Sequence, residues 1–256
     1  MWQDNEDRND ESNDESNDES NDESNDESND EQPEREHERQ HEHQHEHEDE
    51  HWLQHQQGHH HALHGPPHQA VFALSMLFGR GKMARTIADL AALSAGDVVV
   101  DVGCGPGAAA RRARRQGASR AVGIDPSPQM LRFARLLTSL RRMDGVDFLE
   151  GSAESLPLES GSATVVWAIQ SVHHWVDRGR GVNESLRVLA PRGRLLLMER
   201  AVVPGARGLA AHGLTDHRAD ELAGLIGRAG FADAAREIVR VGRRNMVVVT
   251  ASAPSS

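Results

Sequence analysis

Only one of the 256 residues is cysteine, Cys104, so no disulfide can form within the chain. Tyrosine is absent. The 5 Phe and 4 Trp leave few aromatic faces on which successive bases of a single-stranded nucleic acid could stack. No stretch approaches the roughly 18 consecutive apolar residues of a membrane span, and the first residues carry no apolar leader of the secretory kind. These absences disfavour a membrane-embedded, secreted or base-stacking protein, and they make a reducing cytoplasm the expected setting.

The residues that are present are unevenly distributed. The first fifty hold 23 acidic side chains and 3 arginines, a charge of −20; the rest hold 17 acids and 25 bases, a charge of +8. Between Asn9 and Glu31 the motif Asn-Asp-Glu-Ser repeats every four residues, with nothing apolar to bury. Such a segment cannot offset the entropy of ordering, and disorder is expected. A histidine tract follows: His37, His41, His43, His45, His47, His51, His55, His59, His60, His61, His64 and His68, twelve of the chain's 16. Imidazole is a common transition-metal ligand, so loose binding of Ni, Zn or Cu is chemically easy there. The plainer alternative is a solvated spacer. The composition therefore divides the chain into a tail over residues 1–65 and a folded domain over 66–256.

From Pro66 onward apolar residues recur with period. Val71, Leu74, Met76, Leu77 and Phe78 predict a helix ending at Gly79, and Met83, Ile87, Leu90 and Leu93 predict a second. Strands are expected at 97–102, 121–124, 146–149, 163–169 and 194–198. Between them lie helices over 108–115, over the Met130–Leu140 face (Met130, Phe133, Ala134, Leu137, Leu140) and over Val182–Leu189. Leu222, Leu225 and Ile226 mark a last helix before a closing hairpin, 238–241 with 246–250. Strands alternating with helices argue for an α/β, mostly parallel, doubly wound sheet. Ligands of such sheets bind beyond the carboxyl ends of the strands, where strand order reverses.

A glycine loop falls at that place: Asp101-Val-Gly103-Cys-Gly105-Pro-Gly107. Its glycines permit positive φ and close approach of a ligand. Gly103-x-Gly105-x-x-Ala108 also fits the relaxed dinucleotide fingerprint. A dinucleotide loop, however, offers backbone N–H groups to a pyrophosphate. Here Pro106 lacks one, and the Asp101 carboxylate suits an ammonium better than a diphosphate. Asp125, at the end of the next strand, is placed to accept from two ribose hydroxyls, with a helix N-cap before Pro126 as a compatible second role.

Taken together, Asp101–Gly107 and Val122-Gly-Ile-Asp125-Pro-Ser-Pro-Gln-Met130 resemble the cofactor segments of class I S-adenosylmethionine-dependent methyltransferases. The likeness is to the small-molecule subgroup typified by the ubiquinone/menaquinone-biosynthesis and trans-aconitate enzymes. Gly151-Ser-Ala-Glu154-Ser-Leu-Pro157 resembles that family's adenine segment, and Ile169-Gln-Ser-Val-His173-His174-Trp175 the segment after strand four. Leu186–Gly193 resembles the turn into strand five, so the likeness covers roughly residues 85–200. Ser152 departs from the family's usual Asp, and Arg192 from its usual glycine.

The resemblance implies a Rossmann-like, seven-stranded sheet with a C-terminal antiparallel hairpin, and S-adenosylmethionine as cofactor. It implies that Asp101, Gly103 and Gly105 hold the methionine end, Asp125 the ribose, and Met130, Ser152 and Ala153 the adenine. Cys104, Gly107, Pro126, Ser127 and Glu154 complete those loops, and Gln170 and Ser171 line the donor pocket. His174, and after it His173, are the candidate catalytic bases, with pocket wall as the default role. Cys104 reads as a small buried residue and Trp175 as packing. No metal-ligand set is evident in the folded domain. The expected reaction is methyl transfer to a small-molecule acceptor at O, N or C, driven mainly by proximity and in-line orientation. Two other classes remain open: an NAD(P)-dependent oxidoreductase, and a non-catalytic metal-binding or interaction protein behind the tail. A nucleic-acid acceptor is disfavoured, because the acidic arm would compete for the basic surface.

Overall fold

The computed structural model of the chain describes residues 80–208 and 212–255. The tail, the histidine tract and the helix expected at 71–78 lie outside the described residues. None of the described helices is long and apolar enough to cross a membrane.

The elements run α1 (Arg80–Leu90), β1 (Val98–Val102), α2 (Ala108–Arg115), β2 (Arg120–Asp125), α3 (Pro128–Ser139), β3 (Val146–Glu150) and β4 (Ala163–Ile169). A 3-10 turn (Val172–His174) follows, then α4 (Arg178–Val188), β5 (Leu189–Arg200), α5 (Asp216–Arg228), β6 (Ala232–Val241) and β7 (Arg244–Ser252). They build one seven-stranded sheet in the order β3-β2-β1-β4-β5-β7-β6. Strands β1 to β5 pair in parallel, while β7 pairs antiparallel with both β5 and β6. This is the expected α/β Rossmann-like sheet with its closing hairpin.

Chain order reverses between β1 and β4, so their carboxyl ends part and leave a crevice. The central strands are buried on both faces. Val100, Val122, Val166, Leu195 and Val249 pack toward one set of helices; Val99, Ala121, Trp167, Leu196 and Val248 pack toward the other. That two-sided burial is why the central strands read as continuous apolar runs rather than alternating ones.

Three local expectations are corrected. Helix α3 buries Leu131, Ala134 and Thr138, whereas Met130, Phe133 and Leu137 are half-buried and Leu140 is 70% exposed. Its N-cap is Ser127, which accepts the Met130 N–H at 3.4 Å, and its first-turn proline is Pro128; Asp125 and Pro126 sit ahead of the helix. Strand β5 begins at Leu189, five residues earlier than its apolar run, because Ala163 of β4 pairs with Leu189 across a register shift. Arg192 follows Pro191 in that segment with φ 61, the left-handed conformation a glycine would adopt without cost.

Candidate active site

The glycine loop leaves β1 and turns at three positive-φ glycines, Gly103 (72°), Gly105 (51°) and Gly107 (74°). Each backbone donor is directed inward. Gly103 and Cys104 N–H both donate to the Ile124 carbonyl, at 2.8 and 3.0 Å, and Gly107 N–H donates to Cys104 O at 2.9 Å. Gly105 N–H donates to Oδ2 of Asp125 at 2.8 Å. Pro106 has no donor, so nothing in this turn presents an N–H to a phosphate.

The carboxylates of Asp101 and Asp125 hold the loop, and Asp101 also lines the crevice. Asp101 is 2% exposed, and its Oδ2 accepts the Ala110 N–H at 3.1 Å. Ala110 is the third residue of α2, whose N-cap Gly107 has no side chain; Asp101 therefore caps α2 from another element. Asp125 accepts Gly105 N–H on one oxygen and Ser127 N–H, at 2.9 Å, on the other. A carboxylate has about four acceptor sites, so backbone donors and a diol can share it. Beneath the loop, Arg111 is 5% exposed and donates from Nη1 to Pro106 O at 2.7 Å. Burial, followed by the cations of Arg141 and Arg115, lowers its guanidinium to about 10.

The crevice is lined by Ala84 of α1, by Asp101, Gly103, Cys104, Ala108 and Ala109 of the loop and α2, and by Ile169 of β4. Cys104 is buried, its Sγ 3.5 Å from Gly105 O. Gln170, directly after β4, holds φ 50 while its N–H donates to Met198 O at 2.8 Å. Such backbone strain is often stored at sites of function. Ser171 donates its hydroxyl to Val102 O at 2.8 Å, tying this segment to the end of β1. A Cβ on Gly103 would run into the Ser171 side chain, so glycine is required for the two segments to touch.

The adenine-type segment is set by neighbouring loops. Ser155 N–H donates to Ser152 O at 3.3 Å, and Ala153 is buried. Glu154 accepts the Val176 N–H at 2.8 Å, which fixes the loop carrying the histidines. Met130 is half-buried, Ser127 half-buried and Pro126 exposed, so this side of the cleft is open. Trp175 packs against Gly181 of α4, where a Cβ would strike its ring; it is a core residue, 5% exposed.

The histidines sit on the 3-10 turn beyond β4. Nδ1 of His173 lies 2.8 Å from Oε2 of Glu199, a β5 side chain that is fully buried. The other oxygen of Glu199 accepts Val172 N–H at 2.8 Å and His173 N–H at 3.4 Å. Glu199 therefore locks both the turn and the ring. With Nδ1 directed at a carboxylate, the lone pair of His173 is on Nε2, which is buried without a hydrogen-bond partner. His174 lies beside it, its ring tilted by 45° with centroids 4.0 Å apart, and His212 approaches edge-on at 5.5 Å. His212 reaches this place because Leu214 N–H donates to Arg200 O at 2.9 Å, pinning the returning chain to the end of β5.

Glu199, His212 and Arg111 were not singled out by the sequence pattern. An acid ending the apolar run Leu195–Met198 is itself a signal, since a buried carboxylate needs donors. His212 lies in a stretch with no periodicity, and it is the chain's return to the end of β5 that brings it to the site.

Residues 100–197 match the family model of a methyltransferase domain. Over 131 residues the chain is 34% identical to 27-O-demethylrifamycin SV methyltransferase of Amycolatopsis mediterranei, covering 51% of this chain and 48% of that enzyme. The chain thus spans about half the length of that curated relative. In fold it is similar to an S-adenosylmethionine-dependent methyltransferase from Aquifex aeolicus, with TM-score 0.57, 17% identity, and 66% and 88% of the two chains covered. It is also similar to the [4+2]-cyclase SpnF, with TM-score 0.60, 24% identity, and 69% and 82% covered.

Proposed function

We propose that this chain transfers a methyl group from S-adenosylmethionine to a small-molecule acceptor, a reading supported by the match of residues 100–197 to a methyltransferase-domain family model. The observation that carries this reading is the inward turn of every N–H at Gly103, Cys104, Gly105 and Gly107, beside two buried carboxylates at the ends of adjacent strands. No N–H between Gly103 and Gly107 is left for a diphosphate, and the Asp101 carboxylate would repel it, whereas an ammonium and a ribose diol find acceptors. The reading thus favours S-adenosylmethionine over NAD(P). The likeness to a cyclase shows that fold alone does not fix a reaction, which is decided by the side chains of the site.

In this reading Asp101, with Gly103 and Gly105, takes the methionine end, Asp125 the ribose, and Met130, Ser152 and Ala153 the adenine. Cys104, Gly107, Pro126, Ser127 and Glu154 shape those loops, and Gln170 with Ser171 walls the donor side. S-adenosylmethionine supplies an electrophilic methyl on a sulfonium. The chain contributes mainly placement, holding the reactants close and in line. Of the two candidate bases, His173 is favoured over His174, because Glu199 holds its Nδ1–H and leaves Nε2 as the basic atom. A cytosolic setting and loose metal binding by the histidine tract belong to the same reading.

Calorimetric titration with S-adenosylmethionine and with NAD tests it, using the wild type and Asp101→Asn. The carboxamide oxygen can still cap α2, so the variant removes charge while keeping the helix start. Binding of the methyl donor that weakens at least tenfold in the variant, with no NAD signal, is the expected result. Equal affinity for NAD would overturn the reading.

A further inference from the structure

His173, His174 and His212 each bring one ring nitrogen to within 4.8 Å of the others. We propose that these three side chains form a binding site for a divalent transition-metal ion of the zinc class, with Glu199 as the residue that positions it.

Three observations carry the proposal. First, the donor set is chemically complete: three imidazoles and one open position is the arrangement in which zinc binds and activates an oxygen ligand. Second, the tautomer is already chosen. Glu199 accepts from Nδ1 of His173, which leaves Nε2 as the metal-binding atom; a carboxylate behind a histidine is what orients and strengthens such a ligand. Third, that Nε2 is buried with no hydrogen-bond partner. A buried imidazole nitrogen without a partner is costly in a finished structure, and a metal ion between three rings removes the cost. Tetrahedral zinc–nitrogen bonds of about 2.0–2.1 Å bring ligand atoms to about 3.4 Å of one another. The exposed rings of His174 and His212 can swing the remaining distance, while His173 is held still.

Glu199 is engaged with the backbone N–H groups of Val172 and His173 and with the His173 ring. It supports the ligands from behind and leaves the open side to an incoming oxygen. The catalytic consequence rests on the methyltransferase reading above: the metal would bind the acceptor's hydroxyl and lower its pKa. With the metal bound, Nε2 of His173 no longer serves as a base, so coordination and general-base activation are exclusive states of one atom. The substrate class this favours is a hydroxylated small molecule, enolic or phenolic, that can coordinate through oxygen.

Titration of the full-length protein with Co2+ alone, followed by visible absorption, tests the site without any methyl donor. Cobalt held by three imidazoles in a tetrahedral site absorbs far more strongly than cobalt held loosely and octahedrally, so the histidine tract of the tail contributes little to the signal. The expected result is an intense band at one equivalent, lost in His212→Ala and in His174→Ala. Zn2+ should displace it. It should persist in a full-length chain whose twelve tail histidines, His37 to His68, are replaced by glutamine. His212 is exposed, so its replacement leaves the fold intact. In Glu199→Gln the band is expected to need 10- to 100-fold more metal to develop. A band that survives His212→Ala and disappears with the tail histidines would overturn the site. Metal affinity unchanged in Glu199→Gln would overturn the positioning role. Calorimetry with S-adenosylmethionine on the same preparations reports the methyltransferase reading separately, so either can fail alone.

Discussion

Asp97 shows how one side chain can set the acid limit of a fold. It precedes β1 and accepts from Thr164 Oγ1 at 2.7 Å, from Ser94 N–H at 2.7 Å and from the Arg194 guanidinium. Burial alone would raise its pKa, but these donors outweigh it and bring the group from 3.8 to about 2. A carboxylate whose folded pKa is depressed stabilises above its unfolded pKa and loses that contribution as pH falls through the folded one. The window is therefore about pH 4 down to 2, and the size is about 2 kcal/mol. Urea melts of wild type and Asp97→Asn should differ by that order at pH 7 and converge toward pH 2. A constant gap across this range would show that the side chain acts through packing alone. Arg192 is a second residue whose effect has a definite sign. Its left-handed φ costs an L-residue roughly 1–2 kcal/mol, partly compensated by Nε donating to Ser255 Oγ at 3.2 Å. Arg192→Gly is expected to stabilise by up to about 1 kcal/mol, once the extra freedom of glycine in the unfolded chain is subtracted. A lower melting temperature would sink that account.

At the level of elements, the contact between the glycine loop and the segment after β4 is what the site depends on. Gly103→Ala places a methyl group against Ser171 in a backbone conformation that disfavours it. We expect a loss of roughly 2–4 kcal/mol in stability and no measurable binding of the methyl donor. Gly96→Ala, at a position with open space, serves as the control and should melt close to the wild type. Legibility in the sequence follows the same division. β1, β2 and β4 are read almost to the residue because both faces are buried and the run is continuous. The stripe of α3 is misread, since Met130 and Leu140 look like core while Leu131 and Thr138 hold that place. Periodicity gives the face of a helix only to within a residue, and half-buried positions near a cleft carry apolar side chains too. The start of β5 was hidden because its first residues pair through a register shift rather than through an apolar pattern. The carboxylates of the site were found from their strand ends, while Glu199 and His212 emerge only when β5 and the chain returning to it are brought together.

The whole molecule joins a domain of charge +8 to an acidic arm of −20. Removing residues 1–65 is expected to leave S-adenosylmethionine affinity within twofold, because every residue assigned to the cofactor lies beyond residue 100. A tenfold loss would show that the arm belongs to the site. Titration at rising salt separates the remaining possibility: an arm lying over the basic surface should release it as screening lengths fall below about 10 Å. The inward-turned glycine loop has a practical consequence for the crowded solution in which such a protein works. The N–H groups of Gly103, Cys104, Gly105 and Gly107 are all spent within the protein, so this turn has none to give a free oxyanion. Assays run in phosphate or sulfate buffers are therefore expected to read the same affinities as those run without them.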